Sequence, residues 1–230
     1  MTSVAAIIPA RGGSKGIPRK NLINVCGKPL LAWSIIQALD ATEIDSVWVT
    51  SDDDEILEVA KFYGANPISR PLDISGDAAS SESAWQHALE VIEGHGVSID
   101  LVVAMQATSP IRESLDLDEG IRLLRGQNYD SLLSVAEVED FFTWRIISDG
   151  SAQSVNYDYR NRKRRQQIEI SYLENGSFYI FRPDLLRVNG NRLGGRIGLF
   201  PMKRYKMFQI DNPDDVRLCA AIMHGYGLDC

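Results

Sequence analysis

The stretch Val4-Ala5-Ala6-Ile7-Ile8-Pro9-Ala10-Arg11-Gly12-Gly13-Ser14-Lys15-Gly16-Ile17-Pro18-Arg19-Lys20-Asn21-Leu22 decides the fold. Its first half, a short apolar run closed by a proline, reads as a strand buried on both faces. Its second half is a loop of glycines, serine and cations. Glycines permit positive φ and close backbone approach, so consecutive N–H groups can face one anion. Arg11, Lys15 and Lys20 add charge-assisted donors, which count most where charge accumulates in a transition state. The loop reads as a phosphate cradle. It is not a Walker loop, because no Gly-Lys-Ser/Thr follows at the required spacing, and it lacks the dinucleotide Gly-x-Gly-x-x-Gly pattern.

Outward from this loop, strands and helices alternate. Leu30, Leu31, Trp33, Ile35, Ile36 and Leu39 have helical spacing after Pro29, and Val47 to Thr50 is a second strand. Ser51-Asp52-Asp53-Asp54 then supplies caps for a helix carrying Ile56, Leu57 and Ala60. Ser80 to Ile92 reads as a helix, Leu101 to Met105 as a central strand, Leu115 to Leu124 as a helix, and Ser131 to Val135 as a strand. A strand over Ser177–Phe181 and a helix from Pro213 complete the layout, with Ser109 as a candidate cap after the Leu101 strand. The order predicts an α/β fold with a doubly wound, mainly parallel sheet. In such sheets ligands bind beyond the carboxyl ends of the strands, here the loops after Ile8, Thr50 and Met105. Residues 137 to 171 break the rhythm and read as an insertion into one domain spanning 1–230. Phe141, Phe142 and Trp144 in it could pack under the sheet or against a second chain, as exposed aromatic patches tend to mark interfaces.

The 230 residues, 44% hydrophobic and 24% charged, suit a globular core, and only 18 Gly and 9 Pro argue against collagen-like or disordered chains. A net charge of −7 disfavours general nucleic-acid binding. Two basic islands, Arg11 to Lys20 and Arg160 to Arg165, instead suggest small anionic ligands. The apolar runs are too short to cross a bilayer, and no signal-peptide pattern opens the chain. Cys26, Cys219 and Cys230 lack metal-type spacing and read as reduced thiols of a cytoplasmic protein.

The opening loop resembles the signature of the acylneuraminate cytidylyltransferases, the CMP-sialic acid synthetases. The resemblance continues through Arg70-Pro71, Asp77 to Ser81, Gln106 to Arg112, Arg165-Gln166-Gln167, Asn175 to Tyr179 and Ile210 to Asp215, covering nearly the whole chain in order. It implies a Rossmann-like nucleotidyltransferase fold that transfers CMP from CTP to the anomeric hydroxyl of a nine-carbon 2-keto sugar acid, releasing pyrophosphate. It implies a homodimer formed through the insertion, with CTP and a nonulosonic acid as partners and Mg²⁺ (or Mn²⁺) as cofactor. Arg11, Lys20 and Asp211 would be catalytic. Ala10, Arg11, Ser14, Lys15, Lys20, Asn21, Arg70 and Ser81 would bind the nucleotide. Gln106, Thr108, Ser109, Arg165 and Tyr179 would bind the sugar acid, and Asp211, with Gln209 as a second candidate, the metal. Gln209 stands where the family often has an acidic residue. The Gly-Gly of Asn191-Arg192-Leu193-Gly194-Gly195-Arg196 departs from the family's aromatic residues in a region that bears specificity. The bland readings are a cap for Ser81 and Asp211 and a surface ion pair for Arg70. No general base is assigned, and His87, His95 and His224 read as structural or solvated. The competing readings are a non-catalytic nucleotide-binding regulator that keeps the fold, a nucleotidyltransferase for a different sugar, and an interaction module built on the insertion.

Overall fold

The computed structural model describes residues 3–76, 79–139 and 141–229; Asp77 and Ala78 of the quoted motif and Cys230 lie outside them. The elements in chain order are β1 Val4–Pro9, β2 Asn24–Val25, β3 Lys28–Pro29, α1 Leu30–Leu39, β4 Ser46–Ser51, α2 Asp54–Phe62, β5 Asn66–Ser69, α3 Ser81–Gly94 and β6 Leu101–Met105. They continue with α4 Ser114–Gln127, β7 Ser131–Val138, β8 Trp144–Ile146, β9 Ala152–Ser154, β10 Ser171–Phe181, α5 Pro183–Asn189, β11 Ile197–Met202 and α6 Pro213–Gly225. A seven-stranded sheet in the order β11-β7-β10-β6-β1-β4-β5 forms the frame.

β1 lies at the heart of the parallel half, pairing with β4 on one side and β6 on the other. Val4 to Ile8 are fully buried, as a strand covered on both faces requires. On one face Ala6, Ile8, Val103 and Ile180 pack with Leu31 and Ile35 of α1 and Leu117 and Ile121 of α4. On the other, Ile7, Val102, Tyr179 and Phe181 pack with Trp85, Leu89 and Ile92 of α3. The expected mainly parallel, doubly wound arrangement is present.

Some details differ from the sequence reading. β10 runs antiparallel between β6 and β7 and reaches back to Ser171, with an irregularity between Glu174 and Tyr179. β7 extends forward to Val138, so the insertion proper is residues 139–170, containing the β8–β9 hairpin. Ser109 does not cap the next helix: α4 begins five residues on, and Ser109 is buried with its hydroxyl 3.5 Å from the Gly176 carbonyl. Asn212, not Asp211, caps α6, its side chain accepting from the N–H groups of Asp214 and Asp215. Ser80, not Ser81, caps α3. β5 and β11 carry Pro67 and Pro201, as edge strands tolerate.

Candidate nucleotide and acceptor site

The carboxyl ends of β1, β5 and β6 and the start of α3 open onto a cleft of about 290 Å³. The loop after β1 is bound to the acidic turn after β4. The Ala10 N–H donates to the Thr50 carbonyl at 3.0 Å and the Gly12 N–H to Asp52 Oδ1 at 3.1 Å. Glycine is required at 12, because a Cβ there would lie 2.7 Å from Asp53 Oδ2. It is required again at 16, where a Cβ would run into the carbonyl oxygen of Asp211. The loop is therefore seated on two walls, the β4–α2 turn and the segment before α6. Asn21, buried, donates its amide to the Arg11 carbonyl at 3.0 Å and ties the loop's two limbs together.

Arg11, Ser14, Lys20, Asn21, Arg70, Ser81, Gln106 and Thr108 all line this cleft, together with Ser75, Gly76 and Ser80. Arg70 is almost completely buried. Its Nε donates to Ser75 Oγ at 3.0 Å, and its Nη2 lies 3.7 Å from Asp52. Burial lowers its pKa and Asp52 counters this, while the charge of Arg11 lowers it further. Two guanidiniums thus share the electrostatic environment of one cleft. Lys20 reaches the rim, its Nζ 2.9 Å from Asp211 Oδ1. Three cations from β1 and β5 loops converging on a concave polar surface suit a polyanion.

The remaining sequence-based candidates do not line the cleft. Ala10 is buried beneath it and Lys15 stands outside its lining. Asp211 sits beside it through Lys20. Gln209 turns away, donating its amide to the Asn175 carbonyl in the irregular part of β10 and covering Gly176. Arg165 lies on the insertion, mostly exposed and paired with Glu139. Tyr179 is buried on the α3 face, its hydroxyl donating to Glu174, and burial first and that bond second push it up to about 12. Its ring is covered by the guanidinium of Arg192, 4.2 Å from the centroid, which also pairs with Glu82, the residue after Ser81. Arg192 therefore stands between Tyr179 and the cleft's neighbourhood on α3, a relationship not legible from spacing.

Behind the cleft, a buried polar network fixes its floor. The Gln106 N–H and Arg112 Nη1 both donate to the Ser177 carbonyl, at 3.2 and 2.7 Å, and Arg112 Nη2 donates to Ser34 Oγ at 2.7 Å. The Ile210 N–H donates to the Thr108 carbonyl at 2.8 Å, coupling the Gln106 loop to the segment that carries Asp211. Among the described residues no group of three or more His, Cys, Asp or Glu side chains could hold a metal by itself. A divalent ion that takes one carboxylate and completes its shell with phosphate oxygens and water fits the exposed carboxylate of Asp211, whose Oδ1 is held by Lys20.

A family model described as cytidylyltransferase matches residues 5–221. The chain is 36% identical over 216 residues to the N-acylneuraminate cytidylyltransferase A of Danio rerio, covering 90% of this chain and 48% of that protein. It is 38% identical over 181 residues to the N-acylneuraminate cytidylyltransferase of Oncorhynchus mykiss, covering 77% and 41%. It is also 37% identical over 175 residues to the pseudaminic acid cytidylyltransferase of Campylobacter jejuni, covering 75% of each. The chain thus spans less than half the length of the two fish relatives. In fold it is similar to a CMP:2-keto-3-deoxy-manno-octonic acid synthetase complexed with CTP, at a TM-score of 0.71 and 17% identity, covering 98% of this chain and 100% of that one. A 4-diphosphocytidyl-2C-methyl-D-erythritol synthase also superposes at a TM-score of 0.71, with 13% identity over 97% of this chain and 100% of that one.

Proposed function

We infer the reaction from one premise: the chain belongs to the cytidylyltransferase family. It transfers CMP from CTP to the anomeric hydroxyl of a nonulosonic acid. The hydroxyl oxygen bonds to the α-phosphorus, the bond to pyrophosphate breaks in line, and the hydroxyl proton leaves to solvent or a phosphate oxygen. The observation that carries this reading is the convergence of Arg11, Lys20 and Arg70 on one cleft at the carboxyl ends of the parallel strands. Such chemistry demands positioning and charge stabilisation more than covalent work. A triphosphate and a sugar carboxylate repel, and these cations offset that repulsion where the two meet.

In this reading Arg11 and Lys20 bear the charge that grows on the reacting phosphate. Ser14, Lys15 and Asn21 hold the triphosphate, while Ala10, Arg70 and Ser81 hold the nucleoside. Gln106 and Thr108 face the acceptor side, with Gln106 able to donate and accept, and buried Ser109 supports their loop against the Gly176 carbonyl. Asp211 would hold Mg²⁺, whose role is to neutralise phosphate charge. Gln209 acts as a brace on β10, since its amide is committed to Asn175.

Arg165 belongs to the acceptor side as well, and Tyr179 acts on that side through the Arg192 guanidinium that covers its ring. Arg165 reaches that side from the partner subunit of a homodimer built on residues 139–170, where Phe142, Trp144, Tyr157 and Tyr159 form a cluster of tilted and edge-on rings. Phe141 and Trp144 are well exposed in the single chain, as an interface would leave them.

The relatives are named for both N-acylneuraminate and pseudaminic acid, so the acceptor is chosen among nonulosonic acids. Pyrophosphate release from CTP, measured with N-acetylneuraminate, its deaminated form, legionaminate, pseudaminate and Kdo at varied Mg²⁺, tests the whole reading. Release with one nonulosonic acid supports it. CTP binding without release for any of them supports the non-catalytic regulator instead.

A further inference from the structure

Arg19 belongs to the basic loop by sequence, yet it does not line the cleft. Its guanidinium turns the other way, to the first turn of α2. Nη1 lies 3.2 Å from Asp53 Oδ2, and Nη2 lies 3.2 Å from Asp53 Oδ1 and 2.6 Å from Glu55 Oε2. Its backbone is left-handed, with φ 53° and ψ 37°. A side chain with a Cβ adopts that region at a cost, so something nearby has to hold it there.

Asp53 is what holds it. The carboxylate caps α2 through the N–H groups of Glu55 and Ile56, receives the close approach of Gly12, and binds Arg19. The two limbs of the loop, near its start and near its end, therefore rest on one side chain. Because the chain turns through the left-handed region at Arg19, the next residue points opposite: Lys20 runs to the cleft and Asp211.

We propose that Arg19 is a positioning residue: its clasp on Asp53 and Glu55 holds the left-handed turn that delivers Lys20 to the reacting phosphate. The inference rests on the nucleotide-site reading of Lys20 and adds to it a residue that never touches substrate. The clasp is half exposed, so salt weakens it. Glycine at 19 would lose the clasp but take the left-handed turn without strain, whereas alanine would lose the clasp and keep the strain.

The test is steady-state pyrophosphate release at low and high salt for wild type, Arg19→Lys, Arg19→Gly, Arg19→Ala and Glu55→Ala, with direct CTP binding by calorimetry. A loss on the order of ten-fold in kcat is expected for Arg19→Ala, in line with a misplaced charge-stabilising donor. Acceptor KM should be unchanged and the order of activity Lys, Gly, Ala. Glu55→Ala, which removes only the exposed arm, should lose about two- to three-fold at low salt, the size of one surface pair, and nothing at high salt. Wild-type kcat in Arg19→Ala, a loss seen only in thermal stability, or alanine outperforming glycine would each overturn the clasp. If Arg19→Ala does not fold, Glu55→Ala decides: wild-type activity at low salt counts against the proposal. Failure of the wild-type protein to bind CTP would instead overturn the underlying site reading.

Discussion

Lys20 Nζ donates to Asp211 Oδ1 at 2.9 Å, joining the first loop of the chain to the segment before its last helix across 191 positions. One partner is the cation proposed for the reacting phosphate and the other the carboxylate proposed for the metal. They neutralise each other until substrate arrives. Lys20→Ala and Arg11→Ala are expected to cut kcat by about 10²-fold, as removal of a donor aimed at developing charge does elsewhere. Both residues sit at a solvent-facing rim, so far-UV circular dichroism should match wild type. Asp211→Asn should shift the Mg²⁺ titration of pyrophosphate release to higher concentration, and an unchanged titration would remove Asp211 from the site.

Gly16 carries a separate prediction. A methyl group there meets the backbone carbonyl of Asp211, which cannot rotate aside as a side chain would. Gly16→Ala should push the Asp211 segment away from Lys20, costing about 1–3 kcal/mol of stability by overpacking. Activity should fall with the Mg²⁺ requirement raised. Gly13→Ala, where nothing lies near a Cβ, is the control for stability by urea denaturation, and the metal titration compares Gly16→Ala with wild type.

Lys206 is buried, its Nζ 2.6 and 2.8 Å from the two oxygens of Asp116 and 2.5 Å from Glu113. Burial works to lower its pKa, but the bonds to Asp116 and Glu113 outweigh it and raise the pKa above the ordinary 10.5. A raised cation contributes its full stability below 10.5 and loses it as pH climbs through the folded value. Wild-type melting temperature should therefore fall at strongly alkaline pH by more than that of Lys206→Met. At neutral pH the variant should lose about 3–5 kcal/mol, because Asp116 is left buried and unpaired.

The Arg192 guanidinium over Tyr179 predicts a change confined to the acceptor. Arg192→Ala uncovers the ring and releases Glu82 at the start of α3. Acceptor KM should change several-fold, the scale of a lost cation–π and charged contact, while CTP KM stays within about two-fold. Equal shifts in both would place Arg192 in general stability instead.

The parallel half of the fold was legible because its signals are local. A run such as Val4–Ile8 or Leu101–Met105, buried on both faces, announces itself without knowledge of its neighbours. β11 did not, because Ile197–Met202 carries Gly198 and Pro201 and shows no alternation of apolar and polar residues, and only pairing with β7 makes it a strand. The site followed the same division. Arg11, Lys20, Arg70, Ser81 and Gln106 gathered as the strand order foretells, since each lies in a loop that follows a strand's carboxyl end or at a helix start. The opposite swing of Arg19 was invisible, since a left-handed φ at an arginine has no signature in composition. So was the cover of Arg192 on Tyr179, because the loop after α5 meets β10 only in three dimensions.

Residues 139–170 leave the sheet at the end of β7 and re-enter it at the start of β10, and Val138 pairs directly with Ser171. Departure and return are therefore one hydrogen-bonded rung apart. A segment held this way behaves as a portable graft: it can be lengthened, swapped or trimmed to a tight hairpin without altering the register of any strand that shapes the cleft. The nucleotide cleft and this segment can thus vary separately, and chimaeras exchanging the segment between relatives should keep CTP binding.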